Sequence, residues 1–257
     1  MKKYHFISGL PRSGSTLLTA ILNQNPKFSA GISNPLARFV RRIITESHSG
    51  PGYHLQCPES KQQKLIQQLV ETYHYDIDRE VCFNTNRGWT SLLPVLEQTH
   101  PESRVICCVR DIPEILNSFE KLFKQNPFAM SKLYTEDAAE NVYTRSNSLM
   151  IPGGTVRFAY DSLKEAITGP QKHLLMIIEY KNLVTQPDIV MRALYNFIGE
   201  SFFPHDYANL QSNWAEYDRE IGLHGLHSVR PKLEYQPQEV ILPPDIWQQF
   251  SDLEVWR

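Results

Sequence analysis

Residues 6 to 18 read Phe6-Ile7-Ser8-Gly9-Leu10-Pro11-Arg12-Ser13-Gly14-Ser15-Thr16-Leu17-Leu18: an apolar run, a turn of small residues, then an amphipathic pattern. The order is strand, loop, helix. The turn fits the nucleotide phosphate loop G-x-x-x-x-G-K-[ST] at Gly9, Gly14 and Thr16, but Ser15 stands where the lysine belongs. Backbone N–H groups in such a loop, with the positive end of the helix behind them, suit any phosphate. The missing lysine is the group that normally neutralises the β- and γ-phosphates of a triphosphate. The expected ligand is therefore a single 5′-phosphate, with Arg12 as the nearby cation, Ser15 and Thr16 as hydroxyl donors, and Ser13 and Gly14 completing the cradle. No metal is required by this set.

Outward from that stretch, 257 residues at 41% hydrophobic are enough for one sizeable core, and a single α/β domain over residues 1–257 is expected. A net charge of -2 argues against general nucleic-acid binding, which needs a strongly basic surface. The apolar stretch after Lys2 and Lys3 ends at Gly9 and Pro11, too soon for a secretory leader, and no run approaches a membrane span. Cys57, Cys82, Cys107 and Cys108 form no C-x-x-C pair, so reduced, buried thiols in a cytoplasmic protein are expected.

Strands are predicted over residues 3–8, 80–84, 104–109 and 173–178, the third as an apolar run of the kind buried on both faces of a parallel sheet. Helices are predicted over 14–24, from the Asn34-Pro35 cap to about 47, over 59–76, 91–98, from Asp111 past Phe123, 126–150, 156–167 and 188–198. A last short helix is expected to end at Trp256-Arg257. Ligands of open α/β sheets lie at the carboxyl ends of strands. That places Asn84, Thr85, Asn86 and Arg87 where chemistry would be; Arg87 is the cation among them, and the asparagines read equally as turn and cap residues. Arg38, Arg41 and Arg42 share one face of the second helix, either a solvated face or one that greets an acidic substrate. His224 and His227, three apart in a loop with no obvious ligand set, make a poor zinc site.

Gly9-Leu-Pro-Arg-Ser-Gly-Ser-Thr-Leu-Leu resembles the 5′-phosphosulfate loop of sulfotransferases that use 3′-phosphoadenosine 5′-phosphosulfate (PAPS), and most resembles the protein-tyrosine and Golgi carbohydrate branches. The resemblance implies a P-loop-like three-layer α/β fold, with a central, mainly parallel sheet flanked by helices. It also extends to Arg110 and Ser118, at the two positions of the family's 3′-phosphate segment, where a bidentate arginine and a helical serine grip the second phosphate. The strand, Tyr-x-x-Leu turn and proline-led helix around Tyr180 are similar to a further family segment. They make Tyr180 either a purine- or phosphate-side contact or a buried structural tyrosine. Related enzymes fold a late loop over the cofactor, which nominates Ser228 and Arg230 as a second hold on the 3′-phosphate.

The implied activity is in-line sulfuryl transfer from PAPS to an acceptor hydroxyl, releasing 3′,5′-bisphosphoadenosine (PAP), with Arg12 and Arg87 as catalytic cations and no metal. Two departures from the tyrosylprotein enzymes bear on it. Their glutamate base corresponds to Ser33 in Gly31-Ile32-Ser33, and a lysine of theirs corresponds to Thr85, with Arg87 close by. The base is therefore open among His48, His54, His224 and His227. A site without a strong base suits a phenol, whose pKa is about 10. Arg38, Arg41 and Arg42 would receive acidic neighbours of a tyrosine, so a peptide tyrosine is the leading acceptor, as in bacterial enzymes that sulfate small peptides. The rivals are a small alcohol, carbohydrate or lipid acceptor, and a nucleotide-binding protein without turnover; a kinase would need lysine at position 15 and Mg²⁺ ligands. Expected partners are the acceptor peptide or small hydroxyl substrate, with a homodimer left open and no nucleic acid or membrane span.

Overall fold

A computed structural model describes residues 2–129, 134–212 and 214–257. Its sheet has five strands, β1 (Lys3–Gly9), β2 (Phe28–Ala30), β3 (Val81–Thr85), β4 (Val105–Val109) and β5 (Leu175–Glu179). Their spatial order is β2-β3-β1-β4-β5 and every pairing is parallel. The mainly parallel sheet expected from sequence is thus wholly parallel. β4 explains the choice: with all five residues buried, it has no face to give to water. Cys107 and Val109 point into one core and Ile106 and Cys108 into the other. Burial pushes the Cys108 thiol up to about 12 and the Cys107 thiol up as well, so neither is a ready nucleophile.

Helix α1 (Ser15–Leu22) leaves β1 on one side of the sheet, and the helix Ile112–Gln125 leaves β4. β1 and β4 are neighbours, with Gly9 paired to Cys108, while the chain passes from β1 toward β2 and β3 on one side and from β4 toward β5 on the other. The two loops that follow β1 and β4 therefore flank a crevice at the point where the direction of the connections reverses, the place at which open α/β sheets hold ligands. Among the described residues no helix is long and apolar enough to cross a membrane.

Most predicted elements appear within a residue or two, and the differences have local causes. β2 is three residues between Pro26 and Gly31, too short to show a period. The segment 126–150 is broken into Glu136–Ala139 and Val142–Met150, the second starting at an Asn141 capping box; residues 130–133 lie outside those described. Asp111 caps no amide with its side chain, because its carboxylate pairs with Arg257 at 2.9 Å. The last helix stops at Gln249, and Arg257 bridges Asp111 and Glu179 at the ends of β4 and β5.

The histidines make the fold sensitive to acid. Desolvation, reinforced by Arg104 and Lys3, holds the His5 pKa down to about 3, and burial holds His100 and His205 down to about 4. Each is neutral when folded and regains its ordinary value of 6.5 on unfolding, so unfolding takes up protons. Stability is full above pH 6.5 and falls as pH drops toward 4. Well below pH 6.5, His5 and His100 each add up to about 1.4 kcal/mol of loss per pH unit, and half-buried His205 adds less. Urea midpoints measured from pH 7 to pH 4.5 are expected to fall steeply below pH 6; a flat profile would contradict the assignment.

Candidate functional site

Gly9 turns the loop out of β1 with φ 120°, and a Cβ there would lie 2.0 Å from the Cys108 carbonyl oxygen. The Leu10 N–H donates to that same carbonyl at 2.9 Å. Ser13 is buried, with its hydroxyl 2.5 Å from the Leu10 carbonyl and 2.8 Å from that of Cys108. The Ser13 side chain is the latch of the loop on β4, which leaves its backbone amide to offer a ligand. Gly14 has φ 95°, and a Cβ on it would meet the Tyr180 ring at 2.8 Å. Ser15 and Thr16 open α1, whose first N–H groups lack intrahelical acceptors and face the loop.

Arg12, with φ 59°, carries the loop's positive charge. Its Nε donates to Ser118 Oγ at 3.0 Å and its Nη1 to the Leu226 carbonyl. Desolvation and then repulsion from Arg110 bring its pKa down to about 10, against the pull of Asp218 and Tyr180, so it stays charged near neutrality. Arg110 follows β4 and is 8% exposed; its Nε donates to Glu114 at 2.6 Å and its Nη1 to the Arg12 carbonyl at 3.4 Å. Its guanidinium lies 4.5 Å from the centre of the Tyr180 ring. Tyr180 thus forms a wall shared by Gly14 and Arg110. Arg12, the Gly14 amide, Arg110, Ser118 and Tyr180 form one continuous patch.

Arg87 sits past the end of β3, in a turn held to β1 by Ser8, whose hydroxyl donates to the Arg87 carbonyl at 3.1 Å. Its side chain has solvent-exposed area, yet the cleft around the guanidinium is dense enough for desolvation to lower its pKa from the usual value. Asn84 is structural: Oδ1 accepts from Trp89 Nε1 at 3.1 Å and Nδ2 meets His74 at 3.3 Å. Asn86 ties the turn to the Asn34 carbonyl and accepts from the Gly88 amide at 2.9 Å. The Thr85 hydroxyl is buried without a partner among the described residues.

The other expected site residues lie as follows. Arg38, Arg41 and Arg42 lie exposed on helix α2 (Leu36–Glu46), and two of them have side-chain partners. Arg41 donates to Ser91 at 2.5 Å and lies 5.7 Å from the Phe158 ring, and Arg42 pairs with Glu46 at 3.3 Å. Arg38 alone of the three has no side-chain partner among the described residues. Arg230 is exposed and reaches Gln236, next to Pro231, whose carbonyl accepts the Leu210 amide at 2.6 Å. Ser228 is likewise exposed, near Gly225. The late loop does cover the site, but through its backbone: Leu226 on Arg12, and His224 on Asn126.

Of the four loop histidines, His48 and His54 stack on each other at 6.4 Å beyond the end of α2, and His224 is exposed. His227 is 9% exposed, bonded to Asp218, and close enough to Arg12 and Arg87 for both to lower its pKa. No cluster of metal-ligating side chains occurs among the described residues.

The donors present suit a doubly phosphorylated nucleotide. The cradle at Gly14 has room only for a glycine, its N–H groups and Arg12 suit one phosphate, and the Arg110–Ser118 pair beside it suits another.

Solved structures of similar fold are known. The solved fold of a sulfotransferase domain from the curacin biosynthetic pathway is similar at a TM-score of 0.52 and 18% identity, over 79% of this chain and 76% of that one. A sulfotransferase from Alicyclobacillus acidocaldarius matches at 0.51 and 14%, over 86% and 90%. Mouse sulfotransferase SULT7A1, solved in complex with PAP, matches at 0.51 and 15%, over 98% and 82%. At these identities the likeness is one of fold. No curated protein matches by sequence. The model of the sulfotransferase family matches residues 5–204, from β1 through β5 and beyond, and the chain belongs to that family.

Proposed function

We propose that the protein transfers the sulfuryl group of PAPS to the phenol of a tyrosine in an acidic peptide. The observation that carries the donor half is the contact between the two grips: Arg12 of the loop bonds Ser118 at 3.0 Å, and Arg110 reaches the Arg12 carbonyl at 3.4 Å. Two anion sites that share an arginine are close enough for one nucleotide to occupy both. PAPS supplies an activated sulfuryl group whose leaving group is PAP. The loop amides and the Ser15 and Thr16 hydroxyls hold the 5′-phosphate, Arg110 and Ser118 hold the 3′-phosphate, and Tyr180 keeps Arg110 in plane. Arg12 and Arg87 place positive charge where the equatorial and bridging oxygens gain negative charge, in a cleft that strengthens the attraction. Exposed Arg38, in the first turn of the helix that follows Asn34, is the side chain we assign to an acidic neighbour of the tyrosine.

The test is differential. Arg110→Ala is expected to weaken PAP binding by about 10–100-fold, the loss of a charge-assisted contact, while adenosine 5′-phosphate loses less than about threefold. Calorimetric titration of both ligands reads the difference. Equal losses would remove Arg110 from the 3′-phosphate, and no binding of PAP by the wild-type protein would overturn the reading as a whole.

A further inference from the structure

The imidazole of His227 is held between Asp218 and Ser33. Its Nδ1 lies 2.6 Å from Asp218 Oδ1, its backbone N–H donates to Asp218 Oδ2 at 2.8 Å, and its Nε2 lies 3.0 Å from Ser33 Oγ. Asp218 is 2% exposed, and its carboxylate accepts a hydrogen bond from the Nδ1–H of this histidine as well as from its backbone N–H. The ring then carries its lone pair on Nε2, aimed at the Ser33 hydroxyl.

Two observations tie this set to the site. The residue before the histidine, Leu226, offers its carbonyl to Arg12, so the imidazole is fixed relative to the phosphate loop. Ser33 has φ 47° and Arg12 has φ 59°, two of three non-glycine residues with positive φ among those described. Such backbones cost about 1–3 kcal/mol and persist where the surroundings demand them. Both lie at this cleft.

We propose that His227, oriented by Asp218, is the general base that takes the proton of the acceptor hydroxyl, and that Ser33 Oγ marks where the acceptor oxygen sits. This rests on the sulfuryl-transfer reading above. In the step, His227 Nε2 accepts the hydroxyl proton as the acceptor oxygen forms its bond to sulfur. The electron pair of the breaking S–O bond leaves with the 5′-phosphate of PAP, and Asp218 stabilises the imidazolium until the proton passes to solvent. The groups facing the ring are Asp218, Tyr217 edge-on at 5.3 Å, and the Arg12 and Arg87 guanidiniums. Desolvation and the two arginines outweigh Asp218 and hold the His227 pKa below its usual value, so the base is free at neutral pH. A base this weak matches a phenol better than an alkyl alcohol.

Long-range nitrogen–proton NMR of the full-length protein tests the arrangement without turnover: His227 should be the Nδ1–H tautomer at pH 7, and Asp218→Asn should disturb it. An Nε2–H tautomer, or a ring protonated at pH 7, overturns the proposal. In kinetics with PAPS and an acidic tyrosine peptide, kcat/KM should fall on the acid side with an apparent pKa below 6.5. His227→Gln should lower kcat about 10²–10⁴-fold and abolish that limb, while PAP affinity changes less than about threefold. Rescue of His227→Ala by added imidazole would support the role. A His227→Gln variant that binds PAP and turns over like wild type overturns the base assignment and leaves the sulfuryl-transfer reading standing, whereas failure of wild type to bind PAP removes that reading itself. A sulfate found on Ser33 by mass spectrometry after incubation with PAPS alone would also overturn it, in favour of a covalent route.

Discussion

Gly9→Ala is expected to cost more than about 4 kcal/mol and to lower the melting temperature by at least about 10 °C. The new Cβ would stand 2.0 Å from the Cys108 carbonyl oxygen and 2.6 Å from its nitrogen, both backbone atoms of the central strand β4. Neither can swing aside as a side-chain tip would. Relief would require parting β1 from β4, and with it the Leu10 amide and Ser13 hydroxyl bonds that latch the loop to the Cys108 carbonyl. The φ of 120° adds a conformation that alanine adopts only under strain. Gly199→Ala is the control: φ is 70° at the end of the helix Pro187–Ile198, but nothing lies within 4 Å of the added Cβ. Its cost should stay near 1 kcal/mol, the backbone penalty alone. Thermal unfolding of the two variants separates steric conflict from conformational preference, and similar shifts for both would deny the close approach at Gly9.

What was legible in the sequence was local. Strand β1, the loop and α1 occupy adjacent residues, and each is set by a short-range pattern: an apolar run, glycines at fixed spacing, leucines at helical spacing. Arg110 and Ser118 are eight residues apart on one strand end and one helix, so their common direction follows from helical geometry. The Ser33–His227 contact spans 194 residues, and no spacing rule joins Gly31-Ile32-Ser33 to a histidine in a tail without regular structure. Read alone, the serine looked like a lost base; in the fold it faces a histidine. Asp218 carries no local signal of its role, because its helix, Ala215–Glu220, is six residues long. The arginines of α2 show the opposite limit. Their shared face was legible, but Ser91, Phe158 and Glu46, which occupy Arg41 and Arg42, come from other elements or the next turn. Glu114, paired with Arg110 four residues away, was within reach of the (i, i+4) rule.

Arg12→Ala is expected to lower kcat/KM for sulfuryl transfer by about 10³–10⁵-fold, the range seen when an arginine that meets transition-state charge is removed. Arg12 links the two anion grips and the covering loop, through Ser118 and the Leu226 carbonyl. The chemical step needs a cation at the bridging oxygen at the moment that bond breaks, and the cleft has already desolvated this guanidinium, bringing its pKa down to about 10 while keeping it charged. Arg12→Lys should recover little of the loss. An ammonium is a point charge on a flexible stem, whereas the guanidinium fork reaches Ser118 with one nitrogen and Leu226 with another and has further N–H groups left for an anion. Stability should move far less than activity, because removing Arg12 also relieves its repulsion with Arg110. Steady-state transfer with labelled PAPS, read beside melting curves of the same variants, tests the division. A lysine variant with near-normal turnover would mean that charge alone suffices at this position, and would detach the loop's hold on Leu226 from the chemistry.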